Sequence, residues 1–328
     1  MAELAVMFDR ARLERVRNGA VVVTTDPAVF RVEGGGALQC LQGLLTNDVV
    51  KPGDHSLVYG ALLTPKGAIV VDFWVARTPD AFTLVAPRAG HDAAMELFRR
   101  QLPPRLARLT DQTGDMQVAW LLGAQGFQTL AKASLGPLPE SVGRLAVVDT
   151  VQGRLLVALA PERAPFAACI IGPASAVEIA TNALSAAGAC TGASEDLEAA
   201  RVLAGWPSLG AEIDERTLPQ EVRYDEIGGV SYTKGCYTGQ ETVARLHFRG
   251  HTNRELRGIR WLGPELPDGN VVMRAGKESG TVRSTLVLDD RVLGLAVLRR
   301  EVQNGDIVEA GGRQATVVAL PFAAPDVE

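Results

Sequence analysis

Cysteine and histidine are both scarce. The chain has 328 residues and four of each. Cys40, Cys169, Cys190 and Cys236 include no C-x-x-C pair, and no cysteine has a histidine at ligand spacing. That excludes the usual framework of a structural zinc site or a permanent four-thiolate cluster, so no stably bound metal is expected. Thiols used this sparingly suit the reducing cytosol, and a cytoplasmic location is expected. Long apolar runs are missing too. Stretches such as Ala68 to Val71 fall far short of the roughly 20 residues that span a bilayer, so no membrane partner is expected. Met1 to Arg17 mixes acids and arginines and has no signal-peptide core. A basic excess is also lacking. The net charge of −5, with 22% charged residues, gives only a weak case for nucleic acid as a partner.

What is present is apolar material. A 47% apolar fraction supports sizeable cores, and the length suits two or three domains. Ala28 to Val32 reads as a strand, and Gly34-Gly35-Gly36 opens a helix with apolar residues at Leu38, Leu41, Leu44 and Leu45. A dinucleotide site is rejected there, because the third glycine of G-x-G-x-x-G would be Gln39. Thr46-Asn47-Asp48 follows, and helix termination and ligand contact account for it equally well. Strands at 57–63, 68–76 and 82–86 then meet tight turns, and a helix runs over about 89–101. Antiparallel strands followed by a helix indicate α+β. Asp92 reads as an acid complementing the dipole of that helix. A looser repeat over 117–172 suggests a second lobe, with an internal boundary near 110–120. Cys169 and Cys190 sit among small apolar residues and are expected in the core, as is Cys40. Ser194 is expected to cap a helix over 195–204 that Gly205 stops. Short strands and turns from 258 onward, with no helix, imply a small closed barrel.

One stretch concentrates chemistry. Lys234-Gly235-Cys236-Tyr237-Thr238-Gly239-Gln240-Glu241 holds a thiol, an amine, a carboxylate and two glycines. Val230 to Thr233 reads as a short strand ahead of it. Thr238 and Glu241 have capping-box spacing, which predicts a helix from an N-cap at Thr238 to about Arg249. A helix N-terminus and Lys234 together favour the thiolate form of Cys236. A buried structural cysteine in a strand-to-helix turn is the competing reading. Arg245 and Arg249 lie one turn apart on the helix. Such a face suits an anionic tail or RNA phosphates, although most such faces are simply solvated.

The run KGCYTGQE resembles the signature of the YgfZ family of folate-binding proteins, relatives of the glycine-cleavage T-protein. Leu218-Pro219-Gln220-Glu221, Gly228 to Ser231 and Val243-Ala244-Arg245 match around it, and Leu41 to Val49 and Tyr59 to Gly67 match earlier blocks. Two departures separate the chain from the T-protein itself. Leu203 stands where that enzyme has a folate-site glutamate, and Cys236 stands where it has an acid. The resemblance implies two joined ferredoxin-like lobes over 1–250, an aminomethyltransferase-like folate-binding fold, and a C-terminal β-barrel over 251–328. It implies tetrahydrofolate or a one-carbon derivative as cofactor. It also implies a role assisting iron–sulfur cluster assembly or repair in client proteins, including tRNA-modifying ones. Cys236 and Lys234 would form the reactive loop, with Cys236 as a transient cluster contact. Gly235, Tyr237, Gly239, Gln240, Glu241, Arg245, Asn47 and Asp48 would serve the cofactor. An accessory protein is favoured over two alternatives, a folate-dependent transferase and a non-catalytic scaffold that docks a partner or RNA.

Overall fold

Alternation along the strands builds three sheets. The computed structural model describes residues 7–327, so the Met1-to-Arg17 reading falls partly outside the described residues. The first lobe has a five-stranded antiparallel sheet in the order Ser56–Leu63, Ile69–Arg77, Ala81–Ala86, Ala28–Glu33, Arg108–Asp111. Phe30, Val32, Phe73 and Val75 point to one face, which the helices Ala37–Leu44 and His91–Gln101 cover through Leu41, Leu44, Ala94 and Phe98. Tyr59, Trp74 and Val85 point to the other.

The second lobe repeats the plan with six strands. Their order is Cys190–Thr191, Val21–Thr25, Met116–Leu122, Ala168–Pro173, Gly153–Leu159, Leu145–Thr150. Val22, Leu121, Val157 and Ile170 face the helices Gly126–Lys132 and Ala174–Ala186. Val23, Val118, Trp120 and Ile171 face inward and join the inner residues of the first lobe in one shared core. The period of two in a strand is what lets each sheet serve two cores. Val21–Thr25 belongs to the second sheet, whereas Ala28–Glu33, three residues on, belongs to the first.

The C-terminal sheet closes on itself. Lys277–Leu288, Val271–Arg274, Ile307–Ala310, Arg313–Val318, Arg254–Leu262 and Arg291–Arg299 form a ring, shut by the pairing of the first with the last. A register shift between Val282 and Ser284 bends the closing strand, as barrel corners require. Ile259, Trp261, Val292 and Leu298 fill the interior, and Trp261 Nε1 donates to the carbonyl of Ala310 at 3.1 Å. Outside the ring, Met7–Phe8 pairs in parallel with Lys277–Leu288.

The expected α+β lobes and barrel are therefore present. Some local readings need correcting. Cys190 is exposed, because its two-residue edge strand presents it to solvent. Cys169 is buried, and Cys40 is half-buried against the first lobe's core. Ser194 does not cap its helix; it is the first helical residue. The Asp196 carboxylate reaches back to the Ala193 N–H at 2.8 Å and supplies the cap instead. Gly205 does stop that helix, in a left-handed conformation at φ 62°.

Candidate functional site

The signature stretch folds against the end of the first lobe's opening helix. Lys234 is buried, and its Nζ donates to the carbonyls of Leu45 and Asn47, both at 2.7 Å. Leu45 is the C-cap of that helix, whose carbonyl the helix leaves without a partner, and Asn47 lies two residues beyond it. Ser231 N donates to Thr46 O at 3.0 Å, and Thr238 N to Gly43 O at 3.1 Å. Thr46 Oγ1 donates to Gly229 O at 2.6 Å, and Asn47 Nδ2 donates to both Gly228 O and Tyr59 O at 2.7 Å. The Thr46-Asn47-Asp48 segment and the signature are thus one module, stitched by backbone and amide groups. Burial pulls the Lys234 ammonium down to about 8, against a favourable pull from Asp48. Burial also opposes the charge on Asp48, but hydrogen bonds from the Lys51 and Val50 N–H groups and from Gln42 hold its carboxyl below the usual range.

The loop departs from the expected local structure. Residues 230–233 form no strand, because the Ser231 N–H is spent on Thr46 and no sheet edge lies alongside. The helix spans Gln240–Arg249 and its N-cap is Gly239, not Thr238. Gly239 adopts φ 82°, and a Cβ there would stand 2.6 Å from Thr64 O. Only glycine fits where the 64–67 turn crosses the helix start. Cys236 and Gly235 are exposed, Tyr237 is buried, and Lys234 Nζ lies 5.1 Å from the Tyr237 ring centroid. Gln240 is half-buried; Glu241 and Arg245 are exposed on the outer helix face.

A second region lies between the lobes. Aromatics make up only 5% of the chain, yet Trp74, Trp120, Phe166 and Trp206 line a single cavity of about 320 Å³. Trp74 and Trp206 stack at 5.3 Å, and Phe166 meets Trp74 and Trp120 edge-on, both at 4.8 Å. Two buried charged groups share the wall, Asp72 and Arg201. Arg201 Nη1 donates to Trp206 O at 2.6 Å and to the buried Glu212 at 2.8 Å. Burial opposes the guanidinium charge, but Glu198 and Glu212 more than offset this. Ser284 of the barrel bonds both Arg201 and Glu212, at 2.7 and 2.6 Å, and so braces the wall from outside.

Asp72 is the unusual member. Tyr59 Oη donates to its Oδ2 at 2.8 Å and lies 3.2 Å from Tyr224 Oη. Asp72 Oδ1 is buried and has no partner. Burial pushes the Asp72 carboxyl up, against the Tyr59 hydrogen bond. An acceptor left open in an apolar pocket costs about 1–3 kcal/mol unless a ligand fills it. The residues singled out by the sequence do not line this cavity. Those that do come from several separate segments, which no local spacing in the sequence links. The signature module touches the same framework at one point, where Asn47 Nδ2 holds the Tyr59 carbonyl.

Comparison with known proteins fits this geometry. Residues 8–139 match the family model described as the GCVT N-terminal domain. The chain is 28% identical over 308 residues to tRNA-modifying protein YgfZ of Enterobacter sp., covering 91% of each chain. It is 28% identical over 310 residues to the protein of that name from Cronobacter sakazakii, again with 91% of each covered. The chain is thus similar to proteins named YgfZ over about nine tenths of its length. Among solved structures, the glycine cleavage system aminomethyltransferase T of Bartonella henselae superposes with a TM-score of 0.80 at 18% identity, over 95% of this chain and 89% of that one. That likeness establishes the fold. No helix among the described residues is long and apolar enough to cross a membrane. Nor do the described residues contain a group of three or more His, Cys, Asp or Glu placed to hold a metal.

Proposed function

We propose that this protein is a member of the YgfZ family and binds tetrahydrofolate or a one-carbon derivative in the interlobe cavity. It acts in the cytoplasm as an accessory to tRNA modification, serving iron–sulfur client enzymes through the exposed Cys236 loop. The observation that carries the folate assignment is Asp72. A pterin is flat, and one edge carries N–H donors. The cavity offers aromatic walls and one buried carboxylate oxygen without a partner. Its volume of about 320 Å³ lies at the small end of the range for ligand pockets, as suits the ring end of a larger molecule.

The roles of the chain's own groups follow. Asp72 Oδ1 accepts from the pterin edge, and Tyr59 fixes which oxygen is offered by occupying Oδ2. Trp74, Trp120, Phe166 and Trp206 exclude water, which strengthens that hydrogen bond. Arg88 lines the cavity yet is exposed, so it suits the glutamate carboxylate at the other end of a folate. When bound, the folate supplies a carrier for a one-carbon unit. The names of the relatives support the tRNA side of the reading. The exposure of Cys236 supports a thiol that acts on another molecule.

Calorimetric titration with tetrahydrofolate tests the assignment. Wild type and Cys236→Ser should bind alike. Asp72→Asn should bind about 10- to 100-fold more weakly, the loss of one hydrogen bond to a charged group. Binding should also weaken as pH falls through the raised Asp72 value, because the protonated acid is a poorer acceptor. The same shift makes the ionised form costly in the fold, so Asp72 lowers stability as pH rises through that window. Asp72→Asn should therefore be at least as stable as wild type at pH 7. Absence of saturable binding by wild type removes the folate reading.

A further inference from the structure

The outer face of the signature helix has a composition that neither the cavity nor the Cys236 loop accounts for. Gln240–Arg249 buries only Val243. Phe248 is 67% exposed, more than any other Phe among the described residues. It is not loose. Tyr232 and His247 stack at 3.6 Å, and Phe248 meets them edge-on, its centroid 4.8 Å from His247 and 6.0 Å from Tyr232. Asp225 anchors that stack by accepting from Tyr232 Oη and contacting His247 Nδ1 at 3.3 Å. An aromatic ring is thus held against a fixed stack while most of it stays exposed.

Cations lie on the same helix and on the turn that crosses its start. Arg245 lies three residues before Phe248 and Arg249 one after, so Arg245 and Arg249 stand one turn, about 6 Å, apart along the axis. Lys66 is exposed on the 64–67 turn, and its neighbour Gly67 approaches Thr242 so closely that a Cβ would stand 2.9 Å away. None of these three cations has an ion pair or side-chain hydrogen bond among the described residues. Other arginines are paired, as Arg254 is with Glu221 and Arg291 with Asp290. Glu241, at the helix start, is the one carboxylate on this helix.

We infer that this face binds single-stranded RNA, with a base stacked on Phe248 and the adjacent phosphates held by Arg245, Arg249 and Lys66. Stacking on an exposed ring combined with free guanidinium groups is how single strands are held without sequence readout. RNA is favoured over a protein partner because the helix that carries Phe248 also carries a single carboxylate and two guanidinium groups unpaired among the described residues. The face lies on the helix that directly follows the Cys236 loop. A bound strand would therefore lie on the same helix, its stacked base about 12 Å along the axis from the helix start.

The test is a fluorescence anisotropy titration of a labelled single-stranded RNA of about 12 nucleotides between about 50 and 200 mM salt. Wild type should bind saturably, and more weakly as salt rises. Phe248→Ala should weaken binding by about 5- to 150-fold, and Phe248→Trp should restore it. Arg245→Gln with Arg249→Gln should reduce the salt slope by about 1.4, at about 0.7 per phosphate contact. All these side chains are on the surface, and unchanged thermal unfolding confirms intact folding. The proposal falls if wild type does not bind, if Phe248→Ala binds as wild type does, or if duplex RNA binds equally well. It also falls if an acidic peptide binds this face in preference to the RNA, which would make it a protein-docking surface.

Discussion

The interlobe cavity and the signature loop are opposites. The cavity is walled by aromatic rings and holds an acid that burial makes reluctant to ionise. The loop is held by backbone carbonyls and presents its thiol to solvent. The cavity suits holding a small molecule away from water, and the loop suits meeting a macromolecule. On the proposed reading, separating the two would let the folate pocket be rigid while the Cys236 thiol stays accessible.

Three substitutions probe this division, in decreasing order of effect on stability. Trp206 is 4% exposed and packs on Trp74 and Tyr59. Trp206→Ala should cost about 3–5 kcal/mol in chemical denaturation and abolish folate binding. A cost under about 1 kcal/mol would mean that the cavity wall is not part of the core. The loop's buried cation gives the next effect. Lys234 falls to about 8 in the fold, below its ordinary value of 10.5. A lowered amine favours the neutral form in the fold, so the unfolded chain binds more protons across this window. Stability should therefore rise by about 1–3 kcal/mol between pH 8 and 10.5. The measurement compares wild type with Lys234→Met in urea at each pH, and an equal rise in both would show that Lys234 is solvated. Smallest is Cys236→Ser. An exposed thiol contributes little, so stability should change by less than about 0.5 kcal/mol. Support of client enzyme activity in cell extracts should nevertheless be lost. An unstable, insoluble variant would instead make Cys236 a structural residue.

What the sequence revealed follows the same division. The six barrel strands could be read because each is bounded by turn residues, such as Asn304-Gly305 and Gly311-Gly312. The signature helix could be read from Val243, Leu246 and the stop at Gly250. Its start was misjudged because capping-box spacing at Thr238 and Glu241 competes with a left-handed glycine between them, and close approach to Thr64 O settles the contest. The cavity was invisible for a different reason. Asp72, Trp120 and Arg201 are distant in sequence and meet only through tertiary packing, so no local spacing marks them. Cys190 was misplaced because small apolar neighbours suggest a core, whereas an edge strand exposes it.

The switch of sheets near the start of the chain has a mechanical consequence. Val21–Thr25 is zipped into the second sheet and Ala28–Glu33 into the first, so the strand between them is a strap two residues long, Asp26-Pro27. That strap is also part of the cavity wall. A clam-shell motion would have to peel a strand from its sheet to make headroom, breaking the five-residue ladder between Val21–Thr25 and Met116–Leu122. The jaws are therefore tethered at the hinge and at the bite together. Opening the gap between the lobes would cost that ladder of backbone hydrogen bonds.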